Sequence, residues 1–473
     1  MQVSHKETII ESQALAQLCN YLDARKGSWE KQDEAPDLET FEKGLHECVM
    51  ELERELVAQE LRRYDVTADA VEVGGIRYKK AMSSPKSYYC AAGEIRVERH
   101  LYRPSGRGGQ SICPLEMRSG MVKELMTPSA ARQSAFAMAH LPAETVAKLF
   151  AEIGNLTPSR STLGQIPQEL SHVWEAHRAE WEKEMRQIEV LPPEAAVLVV
   201  SQDGVMTPMK EGARAEKRAQ PDKQPTGPAG YREVGCGTVT LYDAEGTRLQ
   251  TVRHGRMPEK NKATLHTQLE AECQHILSAR PDLYVVKLAD GAKDNWHSLG
   301  TLDFGLDPDA TPIKEVEIVD FFHGAEHLKE GCDAIWGQAT VKTKAEFERL
   351  RILLKEADDG VKKVINVLRY HLGRVSSLTR KTTIRKQLTY FRNQRHRMRY
   401  ADYLRQGLPI ASGVVEAACK TLVTQRMKCS GMAWKQHGGQ AILTLRSLIQ
   451  SDRWLSAWQT LKCAFCTPVT ISA

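Results

Sequence analysis

At 473 residues the chain is too long for a single hydrophobic core and should divide into roughly two to four domains. A hydrophobic content of 41% and a charged content of 26% are those of an ordinary globular protein and exclude a disordered or fibrous chain. No run approaches the roughly eighteen apolar residues of a membrane span, and the opening MQVSHKETII lacks the apolar core of a signal peptide, so a cytoplasmic protein with no membrane partner is expected. The net charge of +5 permits a nucleic-acid partner without requiring one. The eleven cysteines are scattered singly apart from Cys463 and Cys466, and one CxxC without a second pair is not read as a zinc or redox site.

Residues 1–65 read as helices. In ETFEKGLHECVMELERELVAQELRR the residues Phe41, Leu45, Val49, Leu52, Leu56 and Leu61 recur at helical spacing, an apolar stripe for a partner helix in the same chain or in a second copy. From 66 to about 105 the period changes to two: SYYCAA and EIRVERHLYR alternate, and Gly74-Gly75 and Gly93 mark turns of a small antiparallel sheet. The basic loop RPSGRGGQ at 103–110 either touches phosphates or is simply solvated. Residues 128–190 return to helix, and Ala143 to Leu170 has a helix-turn-helix shape. Its second helix would present Arg160, Ser161 and Thr162 at its N-terminus, as a DNA reader or as half of an ordinary helical hairpin.

A mixed domain follows. Val197 to Ser201 is a buried-strand run interrupted by Asp203-Gly204, and GARAEKRAQPDKQPTGPAG is a loop expected to be mobile. YREVGCGTVTLYD and TRLQTVRHG form a strand pair turning at 244–246. A helix from Thr264 to Ser278, a strand from Leu283 to Leu288 that runs into Asp290-Gly291, a helix around Trp296 and the strand VEIVD ending at Asp320 complete the order β-β-β-α-β-α-β. Residues 321–405 are helical, and between Val361 and Arg405 thirteen Lys and Arg face one acid, Asp402. With Tyr390, Phe391 and Tyr400 interleaved, that sign bias is a polyanion footprint. Its side chains, among them Arg385, Lys386, Arg392, Arg395, Arg397 and Arg399, are expected on one face opening toward the acids.

The segment LPIASGVVEAACKTLVTQRMKCSGMAW opens a helix at Ser412-Gly413 that should run to about Lys428 and stop at Gly431. Glu416 on its first turn is flanked by apolar residues, which puts a carboxylate against the core; it then needs a cation, Arg426 or Lys428, or a metal. Asp203 and Asp290, each after an apolar strand and before a glycine, can converge with Glu416 on two divalent cations about 3.5–4 Å apart. Hard oxygen donors select Mg²⁺, or Mn²⁺, and two such ions activate a water or a 3′-hydroxyl against a phosphodiester.

These residues carry a family resemblance. The strand order with acids after its first and fourth strands resembles the RNase H-like fold of DDE transposases, and the helical insertion before Glu416 resembles the Mutator-like superfamily. The D-x-x-H from Asp320 to His323 in IVDFFHGAEHL is similar to a motif of that superfamily. GLPIASGVVEAACKTLVTQRMKCSGMAW is similar to the glutamate segment of bacterial insertion-sequence transposases of the ISKra type, and the match extends from about Val71 to about Gln450. The resemblance implies an α/β catalytic core, an RNase H-like mixed sheet, with an all-α insertion and a mainly helical N-terminal region containing a small β-sheet.

It divides the chain into N-terminal helices (1–65), a small sheet with a helical DNA-binding region (66–190), the first part of the core (191–324), the basic insertion (325–405) and the second part of the core with the tail (406–473). It implies a DNA transposase that cuts transposon ends and transfers the strands to target DNA, using two Mg²⁺ or Mn²⁺ ions on Asp203, Asp290 and Glu416. His323 would be an auxiliary residue at the scissile phosphate, and Asp320 is the rival for the second acid. Arg160, Arg426 and Lys428, with the cations of the insertion, would contact DNA. A homo-oligomer associated with the nucleoid is expected. The alternatives are a nuclease of the same fold that joins no strands and a non-catalytic DNA-binding descendant.

Overall fold

The structure is a computed structural model that describes residues 12–30, 37–106, 108–154, 156–211, 230–305 and 313–472. The Gly/Pro/Lys-rich loop, apart from Gly230, falls outside them. The chain is mixed α/β with a helical majority and two sheets, and forms two units, one drawn from Met1–His177 with Leu455–Ala473 and the other from Arg178–Trp454.

In the first unit helices α1 (Gln13–Glu30) and α2 (Leu38–Arg62) form an antiparallel hairpin. Asp37 starts α2 by accepting the Thr40 N–H at 2.7 Å. Tyr21 stacks on Phe41, and the Glu55 carboxylate caps α1 through Ala14 N–H at 2.8 Å. The α2 stripe is only partly covered: Leu61 is buried, while Val49 and Leu56 stay exposed. Strands β1 (Ala70–Val73), β2 (Ile76–Cys90) and β3 (Gly93–Pro104) form an antiparallel sheet closed at one edge by a C-terminal strand, Thr470–Ile471. Gly74, Gly75 and Gly93 all have positive φ, which is why glycine stands at those turns.

Helices α3 (Pro114–Ser119), α4 (Pro128–His140), α5 (Ala143–Glu152) and α6 (Arg160–Ile188) follow. Left-handed Gly154 ends the α5 turn, and Ser159 caps α6 by accepting the Thr162 N–H at 3.1 Å. The second helix of this pair is 29 residues long and runs on into the second unit.

The second unit is built on a five-stranded sheet in the order β6-β5-β4-β7-β8, with β4 (Val197–Met209), β5 (Gly230–Tyr242), β6 (Arg248–Arg256), β7 (Tyr284–Ala289) and β8 (Glu315–Val319). β4–β5 and β5–β6 are antiparallel, whereas β4–β7 and β7–β8 are parallel. The parallel joins need crossovers, supplied by α7 (Ala263–Ala279) and α8 (Lys293–Gly300). Val197 to Val200 and Val285, Val286 and Leu288 are buried as near-continuous apolar runs because helices cover the sheet. At about 1.5–3 kcal/mol per fully buried aliphatic side chain, this layer fixes the register of the parallel strands.

Five helices follow β8: α9 (Phe321–Trp336), α10 (Val341–Glu356), α11 (Gly360–Leu372), α12 (Leu378–Gln394) and α13 (Tyr400–Arg405). Helix α14 (Gly413–Ala418) continues through a π-helical turn, Cys419–Thr424, to Met427, and α15 (Gln436–Gln450) packs beside it.

Candidate functional site

β7 and β8 end at Ala289 and Val319, whose Cα atoms pair, so Asp290 and Asp320 leave the sheet side by side. Ser201 of β4 pairs with Leu288, and two more residues along each strand bring Asp203 level with Asp290. Asp290 and Asp320 therefore stand just past the carboxyl ends of β7 and β8, where open α/β sheets hold their ligands, and Asp203 of β4 lies level with them.

One expectation needs correction: β4 is not interrupted at Asp203-Gly204 but runs on to Met209, paired with β5 throughout, with Asp203 opposite Cys236. The parallel pairing to β7 stops at Ser201, and that leaves Asp203 beside an open edge. A Cβ at Gly204 would run into the Glu233 side chain, which would have to move aside.

Asp203 is the electrostatically stressed member. Burial pushes its carboxyl pKa up, and the charge of Asp290 adds to the rise, against opposing pulls from the Gly204 N–H, the Cys419 thiol and Lys262. Its Oδ1 accepts the Gly204 N–H at 2.7 Å, and Oδ2 faces the Cys419 thiol at 3.6 Å. Asp290 Oδ1 is fixed by the Ala292 N–H at 3.1 Å and the Asn295 amide at 3.0 Å. Asn295 in turn accepts from Lys262 at 3.1 Å, and Lys262 pairs with Glu233 at 2.6 Å. This chain holds the acid pair from the α7–α8 side.

Asp320 has a different job. It is fully buried; Oδ1 caps α9 through the His323 N–H at 2.6 Å, and Oδ2 accepts the Ser412 N–H at 2.5 Å. With an N–H on each oxygen it is a structural clamp. His323 sits on the first turn of α9, its Nδ1 3.5 Å from Glu326 and its ring 4.9 Å from that of His327.

Glu416 is exposed, not set against the core as its apolar neighbours suggested: Val415, Ala418, Cys419 and Leu422 take the buried positions. Its Oε1 accepts the Ser412 hydroxyl at 2.7 Å, and Cys419, one turn on, is the residue that touches Asp203. The Glu416 helix thus crosses the strand that carries Asp203. The π turn directly after it frees backbone carbonyls, and Arg446 of α15 collects them, donating from Nε to Leu422 O at 2.9 Å and from Nη2 to Thr421 O. Gln450 adds a bond to Thr421 O at 3.1 Å. Burial lowers the Arg446 pKa to about 10, with the nearby Arg426 pulling the same way.

The cations chosen from sequence are in varied settings. Arg160, Arg385, Lys386, Arg392, Arg395, Arg399 and Lys428 are exposed. At about 100° per residue Lys381, Arg385 and Arg392 of α12, with Arg395 just past its end, fall within an arc of about 80° on the side opposite Tyr390. Tyr390 is the residue that meets Gly291, so this stripe points away from the acids rather than toward them. Arg397 pairs with Glu317 at 2.6 Å and lies 4.1 Å over the Trp296 ring. Arg426 is 3% exposed and lies over Trp434, inside the unit rather than on a DNA-facing surface.

Lys262, Asn295, Ser412, Cys419, Tyr390 and Arg446 escaped sequence reasoning as members of the site. Cys419, at three residues from Glu416, carried the one readable signal. Among the described residues no three His, Cys, Asp or Glu side chains stand together as a ready metal centre, and no helix is long and apolar enough to cross a membrane.

No family model matches the chain, and no curated protein matches it. Among solved structures, it is similar to one described as the Drosophila P element transposase strand transfer complex. The identity is 11% and the TM-score 0.25, over 69% of this chain and 80% of that one. A likeness at this level leaves function to be argued from the site.

Proposed function

We propose that the chain is a DDE-type DNA transposase whose acids are Asp203, Asp290 and Glu416. The observation that carries the reading is the position of Asp203, mid-strand in β4, level with Asp290 just past the end of the parallel strand β7, beneath a helix that presents Glu416 one turn from the Asp203 contact. The strand order β6-β5-β4-β7-β8, with a helical segment between β8 and the Glu416 helix, supports an RNase H-like core carrying an insertion. The stripe of Lys381, Arg385, Arg392 and Arg395 offers a polyanion a basic face, on the side of the insertion turned away from the acids.

The chemistry of the three acids suits divalent cations of the Mg²⁺ type, while among the described residues they do not stand together as a ready centre. The charge of Asp290 raises the Asp203 pKa against a partial offset from Lys262, Asp203 Oδ2 faces a weak thiol donor, and all three acids offer hard oxygens. Asp203, Asp290 and Glu416 would hold the ions, which when bound supply activation of the attacking hydroxyl and neutralisation of the leaving oxygen. The protein's part is positional: Asn295 and the Ala292 N–H orient Asp290, and Ser412 orients Glu416.

Glu416→Gln tests the reading. It removes the charge and keeps the shape, so DNA binding should persist while Mg²⁺-dependent end cleavage and strand transfer fall at least about a thousandfold, the scale of losing several kcal/mol of transition-state stabilisation. Near-normal cleavage by this variant would refute the assignment, and cleavage by the native chain without joining would make it a nuclease.

A further inference from the structure

We propose that Tyr390 is a positioning residue for Asp290, through which the helical insertion holds one acid of the site in place. The inference names a further member of the site proposed above, but its test reads the loop itself and needs neither metal nor DNA.

Asp290 sits on the turn between β7 and α8, where Gly291 follows it. The Tyr390 ring lies against that glycine so closely that a Cβ at Gly291 would come within 2.4 Å of Tyr390 Cε2 and 3.2 Å of its hydroxyl oxygen. One turn later on α12, Gln394 donates to the Gly291 carbonyl at 3.3 Å. The turn after the acid is therefore gripped by a ring packed over its Cα and by a hydrogen bond to its carbonyl.

The ring is itself held from behind. His327 of α9 stacks on it with centroids 3.6 Å apart and planes 24° from parallel. His327 is anchored by Gln387 at 2.6 Å, and Gln387 by Glu330 at 2.5 Å. Side chains from α9 and α12 thus converge on one ring, and the ring bears on one glycine. The Tyr390 hydroxyl is buried with no hydrogen-bond partner among the described residues, so the contact works through the face and edge of the ring and not through a bond made by the oxygen.

A residue that acts this way is sensitive to ring loss and insensitive to hydroxyl loss. Hydrogen exchange measured by mass spectrometry on the full chain, in the segment 289–296, reads the loop directly. Tyr390→Leu should speed exchange there about tenfold or more, while peptides from β4 and β5 keep their rates. Tyr390→Phe, which restores the ring, should hold the loop at the native rate. Should Tyr390→Leu fail to fold, Gly291→Ala applies the opposite perturbation, pushing the ring from the loop side, and should produce the same local acceleration.

Native exchange in 289–296 with either ring-removing or ring-displacing change would overturn the proposal. Acceleration by Tyr390→Phe would overturn it too, because the hydroxyl would then be the anchoring group. Failure of Asp203, Asp290 and Glu416 as metal ligands is registered separately, in the cleavage assay, and leaves this outcome unaltered.

Discussion

Asp320 Oδ2 accepts the backbone N–H of Ser412, 92 residues further along the chain, so the acid that follows β8 holds the residue that precedes the Glu416 helix. The Ser412 hydroxyl passes the constraint on by donating to Glu416 Oε1, and the Phe321 N–H bonds to Ile410 O alongside. Asp320→Ala should therefore strand two buried N–H groups and cost about 1–3 kcal/mol, a fall of roughly 2–8 °C in melting temperature. Asp320→Asn keeps one acceptor and should retain measurable cleavage at lowered stability. Complete loss of cleavage in a stably folded Asp320→Asn would instead make Asp320 the second metal ligand.

Asp203 yields a prediction with the opposite sign for stability. Its folded pKa is raised above the ordinary 3.8, so ionisation is disfavoured in the folded state. The associated stability is present below the unfolded value and lost as pH rises through the folded one, and at pH 7 the ionised acid is a net burden. Asp203→Asn should thus raise the melting temperature at pH 7 by about 2 °C, gain nothing at pH 3, and abolish Mg²⁺-dependent cleavage. Equal melting shifts at both pH values would show that repulsion and desolvation at Asp203 are not the cause.

How far the site can be read from the sequence depends on the range of the interactions. The order of strands and helices from Val197 to Asp320 was legible because each apolar run and turn is local. The misreading of Asp203 was local too: Asp-Gly usually signals a turn, but here Gly204 sits mid-strand beside the Glu233 side chain. Apolar neighbours suggested a buried Glu416, yet Val415 and Ala418 point inward and leave it outside. The tie from Asp320 to Ser412 and the bonds from Arg446 to the π turn join residues far apart in sequence, and no periodicity announces them.

Arg446 tests whether the π turn matters. Removing its guanidinium in Arg446→Met takes away the donors that meet the Thr421 and Leu422 carbonyls. The helix should then relax toward regular α geometry, which removes one residue of register and turns the segment carrying Glu416 by about 100° relative to the residues after Thr424. Cleavage should drop at least tenfold, with a stability loss of about 1–3 kcal/mol as the Leu422 carbonyl loses its side-chain donor and Thr421 keeps only Gln450. A variant that loses stability but cleaves at the native rate would show that the π turn does not set the direction of Glu416.

Glu272 gives the last prediction. It is 1% exposed, and its carboxylate takes a bidentate pair from Arg453 at 2.6 and 2.9 Å, with Arg186 at 3.2 Å and His254 at 3.4 Å. Arg453 is shared with Glu189 at 2.5 and 2.6 Å. Burial alone would raise the Glu272 pKa, but the Arg453 pair overrides it and takes the carboxyl well below its ordinary 4.5. A depressed pKa contributes stability that is present above about pH 4.5 and is lost as pH falls below that value. Arg453→Met leaves Glu272 without its main partner and should cost about 3–5 kcal/mol at pH 7, the scale for breaking one side of a buried pair. The deficit should narrow below pH 4, where the stranded carboxyl takes up a proton. Urea unfolding of both proteins at pH 7 and pH 3.5 measures it, and a deficit that stays constant between them would mean that lost packing of the Arg453 side chain, and not the charge pair, explains the damage.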